Sequence, residues 1–145
     1  MIKSGVLKLP GILFLSSSVA IAQQVQEGFL ADFISGNYLL VGKLPDSNST
    51  FHGKLQIVST DSGIEVHRII SGKTISGSGA IEKATADGVG VLRMRFTEDG
   101  TEFEETCMIQ SDLDNYARIT CYLYQPGVRT VNPGLEALFI DHNDS

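Results

Sequence analysis

Arg68 and Glu105 are charged residues that fall on otherwise apolar parities of alternating segments. In the run from Ile64 to Ile70 the positions Ile64, Val66, Arg68 and Ile70 share one face, and between Thr101 and Gln110 the positions Phe103, Glu105, Cys107 and Ile109 do the same. A lone charge on an apolar face is costly, so each group must be paired, hydrated or close to an open mouth. One chemistry that satisfies this is ligand binding. Arg68 would offer its planar fork to the carboxylate or other anionic head of an amphipathic molecule, and the tail would lie against Leu55, Ile57, Ile75, Met94, Phe96 and Phe103. Glu105 would tune that guanidinium or accept a hydrogen bond from the ligand. The alternative is an internal ion pair, or a rim position from which both groups reach water.

Other reactive types do not converge on a catalytic pattern. His52, His67 and His142 are scattered, and the first two fall on the outward parity. No Ser occupies a Gly-x-Ser-x-Gly elbow. Ser76-Gly77-Ser78-Gly79 lacks the following helix that a phosphate cradle needs and reads as a thin, bent strand. Asp112-Leu113-Asp114-Asn115 lacks the run of oxygen ligands of a calcium loop and reads as a solvated turn. No catalytic residue, metal ligand or cofactor site is therefore assigned. Cys107 and Cys121, fourteen residues apart, form the even pair expected of a disulfide in an oxidising compartment.

The elements that position these residues are strands. Seven β-rich runs follow one another: Tyr38 to Leu44, Thr50 to Val58, Ile64 to Ile70, Lys73 to Lys83, Gly88 to Thr97, Thr101 to Gln110 and Tyr116 to Gln125. Pro45-Asp46, Asp61-Ser62-Gly63, Ser71-Gly72, Asp87-Gly88, Asp99-Gly100 and Asp114-Asn115 separate them with turn chemistry short enough for antiparallel neighbours. A two-residue turn at Asp99-Gly100 sets Phe96 opposite Phe103, Leu92 opposite Cys107 and Arg95 opposite Glu104. Pairing Cys107 with Cys121 sets Ile109 opposite Ile119, and both hairpins then agree on the inner face. Glycines 53, 77 and 79 share the inner parity, where they either let a sheet bend sharply or leave room inside. Leu135, Ala137 and Phe139 alternate in a last segment that reads as a closing strand or a short helix. Before the strands, Gln24 to Ile34 reads as a helix whose stripe Val25, Phe29 and Phe33, with Leu30 and Ile34, covers a core.

Lys3, Lys8, the apolar run from Val6 through Leu15 and the box Ala20-Ile21-Ala22 have the order of a secretory signal peptide cleaved after Ala22. The expected organisation is thus a signal peptide over 1–22, a helical segment over 23–35 and a β-barrel domain over 36–145. The expected location is secreted or periplasmic, with no membrane span after cleavage. Removing 22 of 145 residues, Lys3 and Lys8 among them, leaves 123 residues and moves the formal charge from −6 to −8. So acidic a chain, with a pI near 4.9, is unsuited to a phosphate backbone, and no nucleic-acid partner is expected. Asn48-Ser49-Thr50 fits a glycosylation sequon, which matters only in a source that glycosylates.

Three local features are similar to the lipocalins, a branch of the calycins. Gly36-Asn37-Tyr38 follows the helical segment and opens the first strand, in the place of the family's Gly-x-Trp. Asp114-Asn115-Tyr116 lies between the sixth and seventh strands, where the family has Thr-Asp-Tyr, and Arg129 follows the seventh strand, near the place of an Arg that packs over the first motif's aromatic. The resemblance covers residues 36 to 129. The chain departs from the family pattern in its short length and in a disulfide between neighbouring strands. The likeness implies an all-β, up-and-down antiparallel barrel of about eight strands with a ligand cavity, and gives Gly36, Tyr38, Tyr116 and Arg129 as closure positions. It supplies no binding residue. A β-sandwich with the same strands is the alternative architecture. The functional alternative to a small-ligand carrier is a protein-interaction module, such as a hydrolase inhibitor. It would meet a basic partner through the acidic outer face and the turns at Pro45 to Asn48 and Leu113 to Asn115.

Overall fold

A computed structural model describes residues 16–109 and 119–143, with side chains from residue 18 onward. Helix α1 (Ser16–Ile34) leads into β1 (Gly36–Lys43), β2 (Thr50–Thr60), β3 (Gly63–Ile70), β4 (Lys73–Lys83), β5 (Gly90–Glu98), β6 (Thr101–Met108), β7 (Ile119–Tyr124) and β8 (Gly134–Ile140). Each strand pairs antiparallel with the next, and β8 returns to β1, with Tyr38 opposite Ile140 and Lys43 opposite Leu135. The sheet is therefore a closed eight-stranded barrel. Closure excludes the sandwich and makes the last segment a strand.

Turn chemistry fixes the register. Ser71-Gly72 and Asp99-Gly100 both have positive φ at the two central positions, 51° and 77° in the first and 49° and 79° in the second, the combination that matches the twist of a tight hairpin. They set Ile70 opposite Lys73 and Glu98 opposite Thr101, as side-chain alternation requires. Cys107 stands opposite Cys121 and is bonded to it, with their Cα atoms 4.0 Å apart.

The inner-face glycines serve bending. A Cβ on Gly53 would lie 2.2 Å from the Ile69 carbonyl oxygen, and one on Gly77 would lie 2.4 Å from that of Arg95. Both positions bring neighbouring backbone too close for any side chain, and at Gly79 the space is already filled by Ile64 and Leu92.

Strand direction gives the barrel two different ends. Helix α1, the β2–β3 turn and the β4–β5 loop lie at one; the β1–β2 loop, the two tight hairpins and the β7–β8 loop lie at the other. At the helix end Ile34 is wholly buried in the main apolar core beside Tyr38, Ile57, Val66, Leu92 and Met94. The Tyr38 hydroxyl donates to the Ile34 carbonyl at 2.6 Å. Ser35 Oγ donates to the Ala31 carbonyl and accepts from the Ser59 amide, each at 2.9 Å. These bonds fasten the last helical turn to β1 and β2.

Two sequence expectations about facing need correction. On α1 the covered positions are Leu30, Ala31 and Ile34, whereas Val25 and Phe29 are each 69% exposed and Phe33 39%. Only the last turn reaches the barrel, so the four-residue spacing of the larger side chains does not decide which face is covered. On β8 the alternating set Leu135, Ala137 and Phe139, which would face inward if its larger apolar side chains set the parity, is one residue out of phase with the interior. Glu136 and Leu138 point inward and Leu135 is half exposed, because pairing sets Leu138 opposite Leu40 and Ile119, and Glu136 opposite Cys121. A buried ion pair outweighs the preference of a carboxylate for the outer face.

Candidate functional site

β3, β6 and β8 each send one charged side chain into the barrel interior. Arg68 is 2% exposed, Glu105 0% and Glu136 3%. Arg68 Nη1 donates to Glu105 Oε1 at 2.7 Å and to Glu136 Oε2 at 3.0 Å, while Nη2 donates to Glu136 Oε1 at 2.5 Å. Glu136 thus accepts bidentately on the end of the fork and Glu105 accepts on one side. The Phe96 ring lies under the guanidinium, 4.2 Å from Cζ to centroid, and Phe96 in turn stacks on Phe103 with centroids 5.5 Å apart.

Charge within this cluster is unevenly shared. Burial opposes the Arg68 charge, but Glu105 and Glu136 outweigh it and hold the guanidinium above its usual range. Glu105 goes the other way: burial, then the neighbouring Glu136 charge and a hydrogen bond to it, push its carboxyl well above the carboxylate range against the pull of Arg68. Glu136 meets Arg68 with both carboxyl oxygens, Glu105 with one.

Above the triad, at the hairpin end, the barrel opens into a cavity of about 350 Å³. Arg68 and Leu123 contribute to its floor and wall with Phe51, Ile70, Phe96 and Phe103, and Leu44, Glu98, Asp99 and Thr101 stand at the mouth. Of the ligand residues expected from sequence, Arg68, Phe96 and Phe103 line this space. Leu55, Ile57 and Met94 do not; they are at most 1% exposed in the packed core toward the helix end. Ile75 packs with Phe96 and Leu123 behind the wall, and Glu105 acts through Arg68. Sequence reasoning missed Glu136, Leu44, Phe51, Ile70 and Leu123. Glu136 was detectable as the one acid within Gly134-Leu135-Glu136-Ala137-Leu138-Phe139, an otherwise apolar run.

Other candidates separate from the site. Arg95 and Glu104 pair on the outer face as their register implies, Nε to Oε2 at 2.7 Å, and Arg93 and Glu82 complete that network. Burial pulls Glu104 upward, but hydrogen bonds from Tyr124, Arg93 and Arg95 outweigh it and keep its carboxyl below the usual range. Glu105, Cys107 and Cys121 lie close enough for a metal, yet the two sulfurs are bonded to each other and offer no thiolate. At the mouth, the Asp46 carboxylate accepts from the amides of Val131 and Asn132 and so ties the β1–β2 loop to the β7–β8 loop. Tyr116, Asp112 and the turn at Leu113 to Asn115 lie outside the described residues. Arg129 does not pack over Tyr38: it is exposed in the β7–β8 loop, at the opposite end of the barrel, because β7 runs away from the helix end.

No known family model matches the chain, and a search of curated proteins likewise finds no match.

Proposed function

We propose that this protein is an exported, non-enzymatic carrier that holds a small apolar or amphipathic molecule in the cavity at the hairpin end of the barrel. The observation that carries the reading is the joining of an aromatic-walled space of about 350 Å³ to a fully buried guanidinium at its floor. Concave, mostly apolar sites with one or two placed polar groups are the form that small-molecule recognition takes. Kinship with the lipocalins is proposed on the closed up-and-down barrel and on the buried Tyr38 of Gly36-Asn37-Tyr38 behind α1. The position of Arg129 gives that kinship no support.

Export to a periplasm or to the cell exterior is proposed on the signal-like N terminus and the buried disulfide. Among the described residues no helix is long and apolar enough to cross a membrane. Side chains 18 to 26 of α1 are all exposed, so cleavage after Ala22 would remove no described buried group. Titration of the purified protein with phenylnaphthylamine, a neutral apolar fluorophore, tests the carrier reading. Saturable fluorescence is expected, weakened by about tenfold or more in Ile70→Trp, which fills the cavity. Absence of saturable binding by the unaltered protein overturns it.

A further inference from the structure

The two carboxylates leave one edge of the Arg68 guanidinium unused. A guanidinium holds five N–H groups in a fixed plane. Both Nη1 protons go to Glu105 and Glu136, and one Nη2 proton goes to Glu136. Nε–H and the second Nη2–H remain, and in the planar fork these two point the same way. No acceptor among the described residues reaches Nε, although it is fully buried. A buried donor left unmade costs about 1–3 kcal/mol, so the site gains from a ligand that supplies the acceptor.

The charge around the cavity selects what that acceptor can be. Arg68 already faces two acidic side chains, Glu98 and Asp99 line the rim, and the exposed Lys73 beside them is paired with Asp99. A ligand carboxylate would enter as a further negative group beside a guanidinium whose charge is already matched. A neutral oxygen can accept the same two N–H groups without that repulsion. Resting on the carrier reading, we propose that the cavity takes a neutral apolar molecule carrying a carbonyl-type oxygen, which accepts from the Nε–H/Nη2–H edge of Arg68, in place of the anionic head that residue type alone suggests.

Competition against bound phenylnaphthylamine, with methyl hexyl ketone and octanoate as displacers, separates the two heads on chains of the same carbon count. The ketone is expected to displace at a concentration about tenfold or more below octanoate. In isotope-labelled protein the Arg68 Nε–H resonance should shift with the ketone and stay in place with octane. Arg68→Lys, which keeps the positive charge but lacks the edge, should remove the ketone's advantage. The resonance measurement stands whether or not that variant folds. Tighter displacement by octanoate, or an Nε–H signal unmoved by saturating ketone, overturns the assignment while the carrier reading survives. Failure of the fluorophore to bind at all overturns both.

Discussion

At the helix end of the barrel, Ile34, Tyr38, Ile57 and Leu92 fill the space between the strands, each at most 2% exposed. At the hairpin end Phe51, Ile70 and Phe103 stand only partly buried around a cavity. Both ends belong to one closed sheet with the same alternation, so strand pattern alone does not decide which end packs. The difference arises at the termini of the strands. One end receives a helical turn whose Ile34 enters the core; the other receives two tight turns and two loops tied to each other through Asp46, from which Leu44 reaches the mouth and no side chain fills the space. Between them lies the Arg68–Glu105–Glu136 triad, a polar layer where an apolar one would fit the barrel equally well. Buried ion pairs seldom add net stability over apolar side chains of the same volume. Their presence at the floor of the cavity is consistent with a role in what occupies it.

Breaking that layer should have the largest effect. Arg68→Ala leaves two acidic groups buried without their cation and is expected to lower unfolding free energy by about 3–5 kcal/mol in denaturant melts. A loss below about 1 kcal/mol would mean that water reaches the triad and that the two ends are not separated. Next in size is the contrast between the ends themselves. Ile34→Ala should cost about 2–4 kcal/mol by opening a hole in packed core, whereas Ile70→Ala, beside space that already exists, should cost about 1 kcal/mol. Equal costs would show that the hairpin end is packed as tightly as the other.

Smallest per step, at no more than about 1.4 kcal/mol for each pH unit, is a slope with pH. Because the Glu105 carboxyl is raised in the folded protein, the native state keeps a proton that the unfolded chain releases above about pH 4.3. Stability contributed by that proton is complete below this pH and is lost as pH rises toward the native value, by up to about 1.4 kcal/mol per pH unit. Glu104 and Asp141, both held below the usual range, act with the opposite sign and only in more acidic solution. Urea melts between pH 5 and neutrality should therefore show declining stability, and Glu105→Gln should flatten the decline. An unchanged slope in that variant would place the proton elsewhere.

Much of the barrel is legible from alternation and turns, because a two-residue turn fixes parity and a one-residue slip would expose a whole apolar set. Arg68, Glu105 and the Cys107–Cys121 pair are found in this way, with the correct opposite neighbours. The third member of the triad is not. Assigning an inner face to β8 by its larger apolar side chains puts Glu136 outside, since no local rule in that segment reports a guanidinium 68 positions away in the chain. The cavity wall is illegible for a related reason. Leu55 and Phe51 share a parity on one strand, and only the placement of Ile34 at one end makes the first core and the second lining.

The return of β8 to β1 bears on how this protein would fail. No strand among the described residues presents an unsatisfied row of amides and carbonyls, the template by which sheets recruit one another into fibrils. Recruitment must wait for a seam to part. The β7–β8 seam, with five residue pairs like β6–β7 but without that seam's disulfide, is the natural place for that to begin. Shelf life should then follow the fraying of the last strand more closely than the melting of the whole barrel.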